Sequence, residues 1–172
     1  MISAMRTVDV ALLIVLAISA VTDLRTGRIF NLVTYPAIVA GLICAVAGLG
    51  PPLASALAGC AVGGLSLYVM FAVGWLGGGD VKLMAAVGAL KGYPFVLYAM
   101  FYSIFVGGVC AALALIWRGH GRAVLRDVAV LGRRIAHPGL PAEPIPARGG
   151  AFPFGVAISI GTGCALALEW FR

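Results

Sequence analysis

Six stretches of apolar residues follow one another along the chain, separated by short polar or glycine-rich connections. A helix of about 20 apolar residues is long enough to span the hydrocarbon core of a bilayer. The pattern therefore predicts an all-α fold, a polytopic membrane bundle of about six transmembrane helices in which the fourth is short. The apolar stretches cover roughly residues 8–22, 32–49, 53–76, 81–90, 93–117 and 151–171.

The fourth stretch is too short to cross a membrane. Only the ten residues 81–90 separate Asp80 from Lys91. As an α-helix they would extend for about 15 Å, half the hydrocarbon thickness. Backbone that ends inside a membrane must be covered by protein or border a water-filled cavity. We therefore expect the glycines before Asp80 to line a wet cavity.

The composition agrees with a membrane protein. Of the 172 residues, 62% are hydrophobic and 10% are charged, whereas soluble domains contain about 25% charged residues. We expect residues 1–172 to form a single integral-membrane domain. The formal net charge is +6. Basic residues on the cytoplasmic side of a membrane protein explain such a charge, and we expect no nucleic-acid partner.

A basic segment at about 118–150 indicates the orientation of the chain. It contains six arginines and two acidic residues, so the positive-inside rule predicts a cytoplasmic loop. Part of it fits an amphipathic helix on the membrane surface, and a solvated basic loop fits almost equally well. With six crossings, the 23–31 and 77–80 connections lie on the same, cytoplasmic side.

The first apolar stretch also has features of a signal peptide. Arg6 precedes it, and it ends in the small residues 17–20, as a cleavage site would require. Cleavage there would remove the helix that leads into Asp23. The motifs farther along the chain favour an uncleaved first helix.

Two aspartates are the candidate catalytic residues. Asp23 ends the first apolar stretch, and Asp80 precedes the fourth, so both are predicted at the cytoplasmic ends of their helices. Ionisable residues at membrane helices are costly and often functional. The alternative is that both are helix caps or balance nearby basic residues. Asp9 and Glu169 are predicted near the opposite ends, where hydration would lower the cost of their charge.

Two carboxyl groups that meet in a cavity of low dielectric constant share one proton. The ionised carboxylate can then take a proton from water while the protonated one polarises a peptide carbonyl. This chemistry requires no cofactor and no metal. The two histidines lie in the basic segment, and the four cysteines form no CxxC pair, which favours small buried packing residues over a zinc site.

The residues around Asp80 support a peptidase. Gly77, Gly78 and Gly79 leave the backbone free of side chains just before the carboxylate, so an extended peptide could approach closely; an interhelical turn is the alternative. Lys82 could contact substrate carboxylates or anchor the helix at the cytoplasmic side. Asn31 could orient the loop near Asp23 or cap the second helix.

The order of these motifs resembles that of the type IV prepilin peptidases. Residues 77–80 match the GxGD signature of that family, and the segment from Asp23 to Asn31 resembles its first aspartate motif. Pro153, Phe154 and Gly155 are similar to its Pro-aromatic-Gly element. Phe30 stands where the family commonly has proline.

The resemblance implies an aspartic endopeptidase of the inner membrane with Asp23 and Asp80 as its catalytic pair. It implies a prepilin or pseudopilin substrate whose short basic leader ends in glycine and is cut at the cytoplasmic face. Longer relatives carry paired CxxC zinc ligands and methylate the new amino terminus. This sequence is more similar to the short, peptidase-only members that serve tight-adherence (Flp) pili, so we expect no N-methyltransferase activity. Archaeal preflagellin peptidases are also similar.

Glycine spacing predicts close helix packing. Gly59 and Gly63 form a GxxxG pair, and small residues recur every four positions at Gly155, Ser159 and Gly163. Such stripes let membrane helices approach closely. They favour packing within one chain over a homodimer. We expect lipid to surround the protein.

Two other functions remain open at this point. Asp23 and Asp80 could form the ion site of a small ion- or proton-coupled transporter with a broken helix, although the two halves show no repeat symmetry. The chain could also be a non-enzymatic assembly protein of a pilus or secretion system. Presenilin-like proteases share GxGD, but both of their aspartates would lie in the middle of helices.

Overall fold

Six α-helices account for most of the described residues, which are 2–72, 74, 76–117 and 154–171 of a computed structural model. The basic segment at 118–150 and Pro153 lie outside this described part, which contains no strand. The helices are α1 (Ile2–Thr26), α2 (Asn31–Val46), α3 (Leu53–Ala72), α4 (Gly78–Lys91), α5 (Tyr93–Trp117) and α6 (Phe154–Trp170).

The chain divides into two compact units. The first comprises Met1–Gly107 and Pro153–Arg172, and the second comprises Gly108–Phe152. Of the second unit the structure describes only the end of α5, up to Trp117. The fold and the site described below belong to the first unit.

The helices follow the apolar stretches, so the all-helical membrane bundle is confirmed. Three described helices contain stretches long and apolar enough to cross a membrane, at Thr7–Thr26, Leu53–Ala72 and Tyr93–Leu113. The shorter apolar helices α2 and α6 have 16 and 17 residues. Large apolar side chains on the outside, such as Leu32, Leu65 and Phe101, are exposed, as expected of a surface that lipid covers.

Helix α4 is the centre of this unit. It has 14 residues, and every side chain from Leu83 to Leu90 is buried, which is typical of a helix surrounded by others. It packs against α1, α2, α3 and α6. The shortness of the fourth helix is confirmed, although it begins earlier than the apolar pattern indicated, because Gly78, Gly79 and Asp80 form its first turn.

Glycines bring the neighbouring helices into backbone contact with α4. A Cβ atom on Gly59 would lie 2.6 Å from the carbonyl carbon of Gly92, and one on Gly63 would lie 2.6 Å from the Met84 oxygen. In α2, a Cβ on Gly41 would lie 2.8 Å from the Ala89 carbonyl carbon. The GxxxG pair therefore packs within the chain. Gly163 has open space beside it, so the stripe in α6 is not uniformly packed.

Two expectations about polar residues are wrong. Asp9 is 4% exposed and paired rather than hydrated at a helix end. Cys164 is exposed, and Cys44, Cys60 and Cys110 are half-buried free thiols, because the lipid-facing surface accepts these weakly polar side chains as readily as the interior does.

Candidate active site

Asp80 lies in the first turn of α4 and is 8% exposed. Its Oδ2 atom accepts a hydrogen bond of 3.1 Å from the Gly77 N–H, and its own N–H donates to the Gly77 oxygen over 3.1 Å. The N-cap of α4 is Gly77. Asp80 is therefore not the N-cap itself. Its carboxyl accepts a hydrogen bond from the N-cap N–H, as in a capping box, so the helix-capping alternative is confirmed in part for Asp80.

Asp23 lies in the last turn of α1 and is 7% exposed. Helix α1 ends just beyond it, because Gly27 has a φ of +62°, which favours glycine. The Asp23 carboxyl lies against the first turn of α6, beside the N–H groups of Gly155 and Val156. Its Oδ2 atom is buried and has no well-formed hydrogen bond within the described part of the chain. The carboxyl is therefore held close to a helix N-terminus with one oxygen atom free.

The Asp23 carboxyl can lie this close to α6 because residue 155 has no side chain. A Cβ atom on Gly155 would lie 2.8 Å from the Asp23 Oδ2 atom and 2.6 Å from Cδ1 of Ile29. A Cβ atom on Gly79 would lie 2.9 Å from Cβ of the same Ile29. Ile29 therefore contacts both α6 at Gly155 and α4 at Gly79.

These contacts bring the two aspartates together. Asp23 and Asp80 are 57 positions apart in the sequence, yet their carboxyl groups are close enough for their charges to interact. Among the described residues, neither aspartate forms a salt bridge. The structure thus places two buried, unpaired carboxyl groups at one end of the bundle, as the connectivity of six crossings predicted.

The glycines before Asp80 are accessible. Gly77 is exposed, and Gly78 and Gly79 are half-buried. A Cβ atom on Gly78 would touch the Phe71 ring at 3.4 Å, so one side of this turn is closed by α3. The predicted wet cavity at these glycines stays a prediction.

Lys82 contacts α2 instead of the aspartates. Its Nζ atom donates to Oδ1 of Asn31 over 2.8 Å and lies 4.9 Å from the centre of the Tyr35 ring. Asn31 is the first residue of α2. The contact therefore joins the start of α2 to the start of α4, next to the candidate site.

The remaining predicted site residues lie at the start of α6. The Phe154 ring packs on α5, where a Cβ atom on Gly107 would lie 2.9 Å from it, and Pro153 lies outside the described residues. Glu169, at the other end of α6, is one of the residues that line two cavities of about 350 and 410 Å³. They are remote from the aspartates.

No individual role was predicted for Ile29 or Tyr35, although Ile29 lies in the segment that resembles the first aspartate motif of the type IV prepilin peptidases. Both flank Asn31 in the segment that follows Asp23, so their place beside a candidate residue was the available signal. Their contacts depend on how α2, α4 and α6 meet, which periodicity along one helix does not reveal.

Known sequences resemble this chain over the part that contains both aspartates. The sequence profile of the type IV leader peptidase family matches residues 10–112, more than half of the chain. The chain belongs to the type IV leader peptidase family. Asp23 and Asp80 both fall within the matched region, whereas the start of α6 lies beyond it.

Two curated relatives are similar to 59% of this chain. A protein of Xanthomonas campestris pv. campestris named prepilin leader peptidase/N-methyltransferase is 34% identical over 111 residues, which cover 59% of this chain and 38% of that protein. A Bacillus subtilis protein of the same name is 36% identical over 107 residues, covering 59% of this chain and 42% of the relative. The chain thus matches less than half the length of these relatives. No solved structure matches it.

Proposed function

We propose that this chain is a membrane-embedded aspartic endopeptidase that removes the leader peptide of prepilins or pseudopilins. The observation that carries the proposal is the meeting of Asp23 and Asp80. Both are buried, their charges interact, and neither has a salt-bridge partner among the described residues. Family membership supports the substrate class, because both curated relatives are named for prepilin leader cleavage.

The chemistry follows from two carboxyl groups that share one proton. The ionised carboxylate takes a proton from a water molecule, and the resulting hydroxide attacks the carbonyl carbon of the scissile peptide bond. The protonated carboxyl donates to the carbonyl oxygen and stabilises the tetrahedral intermediate. When the C–N bond breaks, the leaving nitrogen takes up the proton that the carboxylate had removed from water. The pair then again holds one proton.

The accessible turn at residues 77–79 supports the approach of an extended peptide. Gly77 is exposed, and a backbone without side chains admits a second backbone. We place this turn at the cytoplasmic side, where two basic residues lie exposed, Arg25 in the last turn of α1 and Arg28 just after it. The leader would then be cut just before the hydrophobic helix of the pilin enters the membrane.

We further propose that the chain acts as a peptidase without methylating its product, on Flp-type pilins. The support is the sequence itself, which contains no CxxC pair; both curated relatives, by contrast, are named as N-methyltransferases as well as peptidases. Mass spectrometry of the cleaved pilin tests this point. An unmethylated amino terminus is expected, and a methylated one from a host without another family member would contradict it.

Cleavage of a co-expressed Flp-type pilin precursor in membranes tests the catalytic assignment. Asparagine keeps the size of aspartate but cannot hold the ionised state. We expect the wild type to shorten the precursor, and Asp23→Asn and Asp80→Asn each to abolish cleavage while still inserting into the membrane.

Two controls complete that experiment. Asp127→Asn makes the same chemical change in the basic segment and should leave cleavage intact. A precursor whose leader ends in a bulky residue instead of glycine should resist the wild-type enzyme. Normal cleavage by both active-site variants would refute the pair, and the ion-transport and assembly alternatives would then be preferred.

A further inference from the structure

A cluster of charged side chains, in which those of Asp9 and Lys91 are buried and that of Glu169 is 41% exposed, lies at the opposite end of the helices that carry the candidate site. Lys91, the last residue of α4, places its Nζ atom 2.7 Å from Oδ1 of Asp9 and 2.8 Å from Oε2 of Glu169. The side chains of Lys91 and Asp9 are each 6% exposed. The Trp170 indole N–H donates to the other oxygen of Asp9 over 3.0 Å. We call Asp9, Lys91, Glu169 and Trp170 the polar clasp.

The polar clasp joins the same three helices as the candidate site. Asp9 belongs to α1, Lys91 to α4, and Glu169 and Trp170 to α6. At the other ends, α1 carries Asp23, α4 carries Asp80, and α6 begins beside the Asp23 carboxyl.

Helices α1 and α6 contact each other at both ends and between them. Asp23 contacts Gly155, Ser159 Oγ donates to the Leu16 oxygen over 3.0 Å, and Trp170 donates to Asp9. Asp9 to Asp23 is 14 positions and Gly155 to Trp170 is 15, which is about 21–23 Å along each helix. A shift of one helix at the clasp would therefore appear at the aspartates.

Directional contacts of this kind are needed in a membrane. Lipid tails are as apolar as the side chains of the bundle, so burial of apolar surface does not fix how far one helix slides along another. The close glycine contacts of α4 are with α2 and α3, so they leave its register against α1 and α6 to other contacts. A buried ion pair with fixed geometry specifies one register.

We propose that the polar clasp is a positioning device that sets the separation of Asp23 and Asp80. This inference rests on the proposed catalytic pair. Lys91 holds the C-terminal end of α4 against α1 and α6, and the rigid helix transmits that position to Asp80 in its first turn. The clasp residues lie away from the carboxyl groups of Asp23 and Asp80 and act on them through the helices.

A comparison of single and double variants separates positioning from stability. Lys91→Met leaves the Asp9 charge buried without a cation, which lowers both the melting temperature and the cleavage rate. The double variant Asp9→Asn with Lys91→Met removes both charges of the buried pair and recovers the melting temperature, because Glu169, the remaining charge, is 41% exposed. If the clasp positions the site, the kcat of the double variant for pilin precursor stays about tenfold below wild type, with KM unchanged.

The pH profile provides a second readout, because a changed separation of two coupled carboxyl groups alters the pH range over which they hold one proton. We expect a displaced profile in the double variant and a wild-type profile in Lys91→Arg, which keeps the charge. Trp170→Phe removes one hydrogen-bond donor without changing the charge. Its pH profile should lie between those of the double variant and of Lys91→Arg.

The result that overturns the proposal is a double variant with wild-type kcat and pH profile once its melting temperature has recovered. If Lys91→Met does not insert, the double variant carries the test alone. Asp23→Asn measured beside these variants keeps the two proposals distinct. An active Asp23→Asn enzyme would refute the catalytic pair, whereas altered kinetics in Asp23→Asn alone, with wild-type kinetics in the Asp9 and Lys91 variants, would refute only the clasp.

Discussion

Gly155 and Asp23 are in direct contact, with room for only a hydrogen atom at the α-carbon of residue 155. A methyl group there would lie 2.8 Å from the Asp23 Oδ2 atom. We predict that Gly155→Ala pushes the carboxyl away from the first turn of α6 and lowers the cleavage rate by about tenfold or more. Initial rates of precursor cleavage in membranes measure the effect.

Gly163→Ala is the matched control for that variant. It places the same methyl group in the same helix, two turns farther on, where no atom lies within 4 Å. Its cleavage rate should equal that of the wild type. Equal rates for Gly155→Ala and Gly163→Ala would show that the contact with Asp23 does not matter for activity.

Ile29 is predicted to be important although it carries no reactive group. It contacts α4 at Gly79 and α6 at Gly155, so its removal leaves space between α4, which carries Asp80, and the first turn of α6, against which the Asp23 carboxyl lies. We expect Ile29→Ala to reduce cleavage more than it reduces thermal stability, whereas Ile29→Val should retain most activity. A loss of activity that simply follows the melting temperature in both variants would contradict this role.

Lys82 and Asn31 should behave as one unit. They share a hydrogen bond of 2.8 Å at an exposed site, for which we expect a coupling free energy of about 0.5–1 kcal/mol. Lys82→Met and Asn31→Ala should therefore have similar effects on unfolding, and the double variant should be little worse. Slower cleavage in Lys82→Met alone would instead indicate that Lys82 contacts the substrate.

Cleavage should depend on pH in a bell shape. The proposed mechanism requires one proton on the pair. At low pH both carboxyl groups are protonated and no base remains, and at high pH both are ionised and no acid remains. Rates measured with buffers that cover both limits test this expectation. A flat profile across the range in which the enzyme stays folded would contradict a shared proton.

Helix packing at α4 should be sensitive to single methyl groups. Gly59→Ala would force a Cβ atom to within 2.6 Å of the Gly92 backbone, and we expect the free energy of unfolding to fall by about 1–3 kcal/mol or more. Gly64→Ala lies in the same helix and meets only the Ala85 side chain at an ordinary 3.4 Å. Thermal unfolding in detergent should give a lower melting temperature for Gly59→Ala than for Gly64→Ala. Equal melting temperatures would contradict this expectation.

Much of this architecture could be predicted from the order of apolar and polar residues. Runs of apolar residues gave the helices, because a membrane span has a characteristic length and composition. The placement of Asp23 and Asp80 at one end followed from counting crossings between them. The same count places Asp9, Lys91 and Glu169 together at the other end, so the signal for their contact was present in the sequence.

What could not be predicted depends on contacts between helices. Sequence spacing does not reveal that Gly155 touches Asp23, because the two belong to helices far apart in the chain. It also does not reveal that Lys82 binds Asn31 and lies over the Tyr35 ring, because these residues belong to another helix. These outcomes depend on rotation and register, which are set by the packing of several helices at once.

The burial of α4 has a consequence for how the enzyme would respond to membranes of different thickness. Helices that face lipid tilt or stretch to match the hydrocarbon layer, but Leu83–Leu90 have no surface on which lipid could act. The depth of Asp80 is then fixed by its protein neighbours. Thinning the bilayer would strain the outer helices first, while the central helix keeps its carboxyl at the same height relative to α1 and α6.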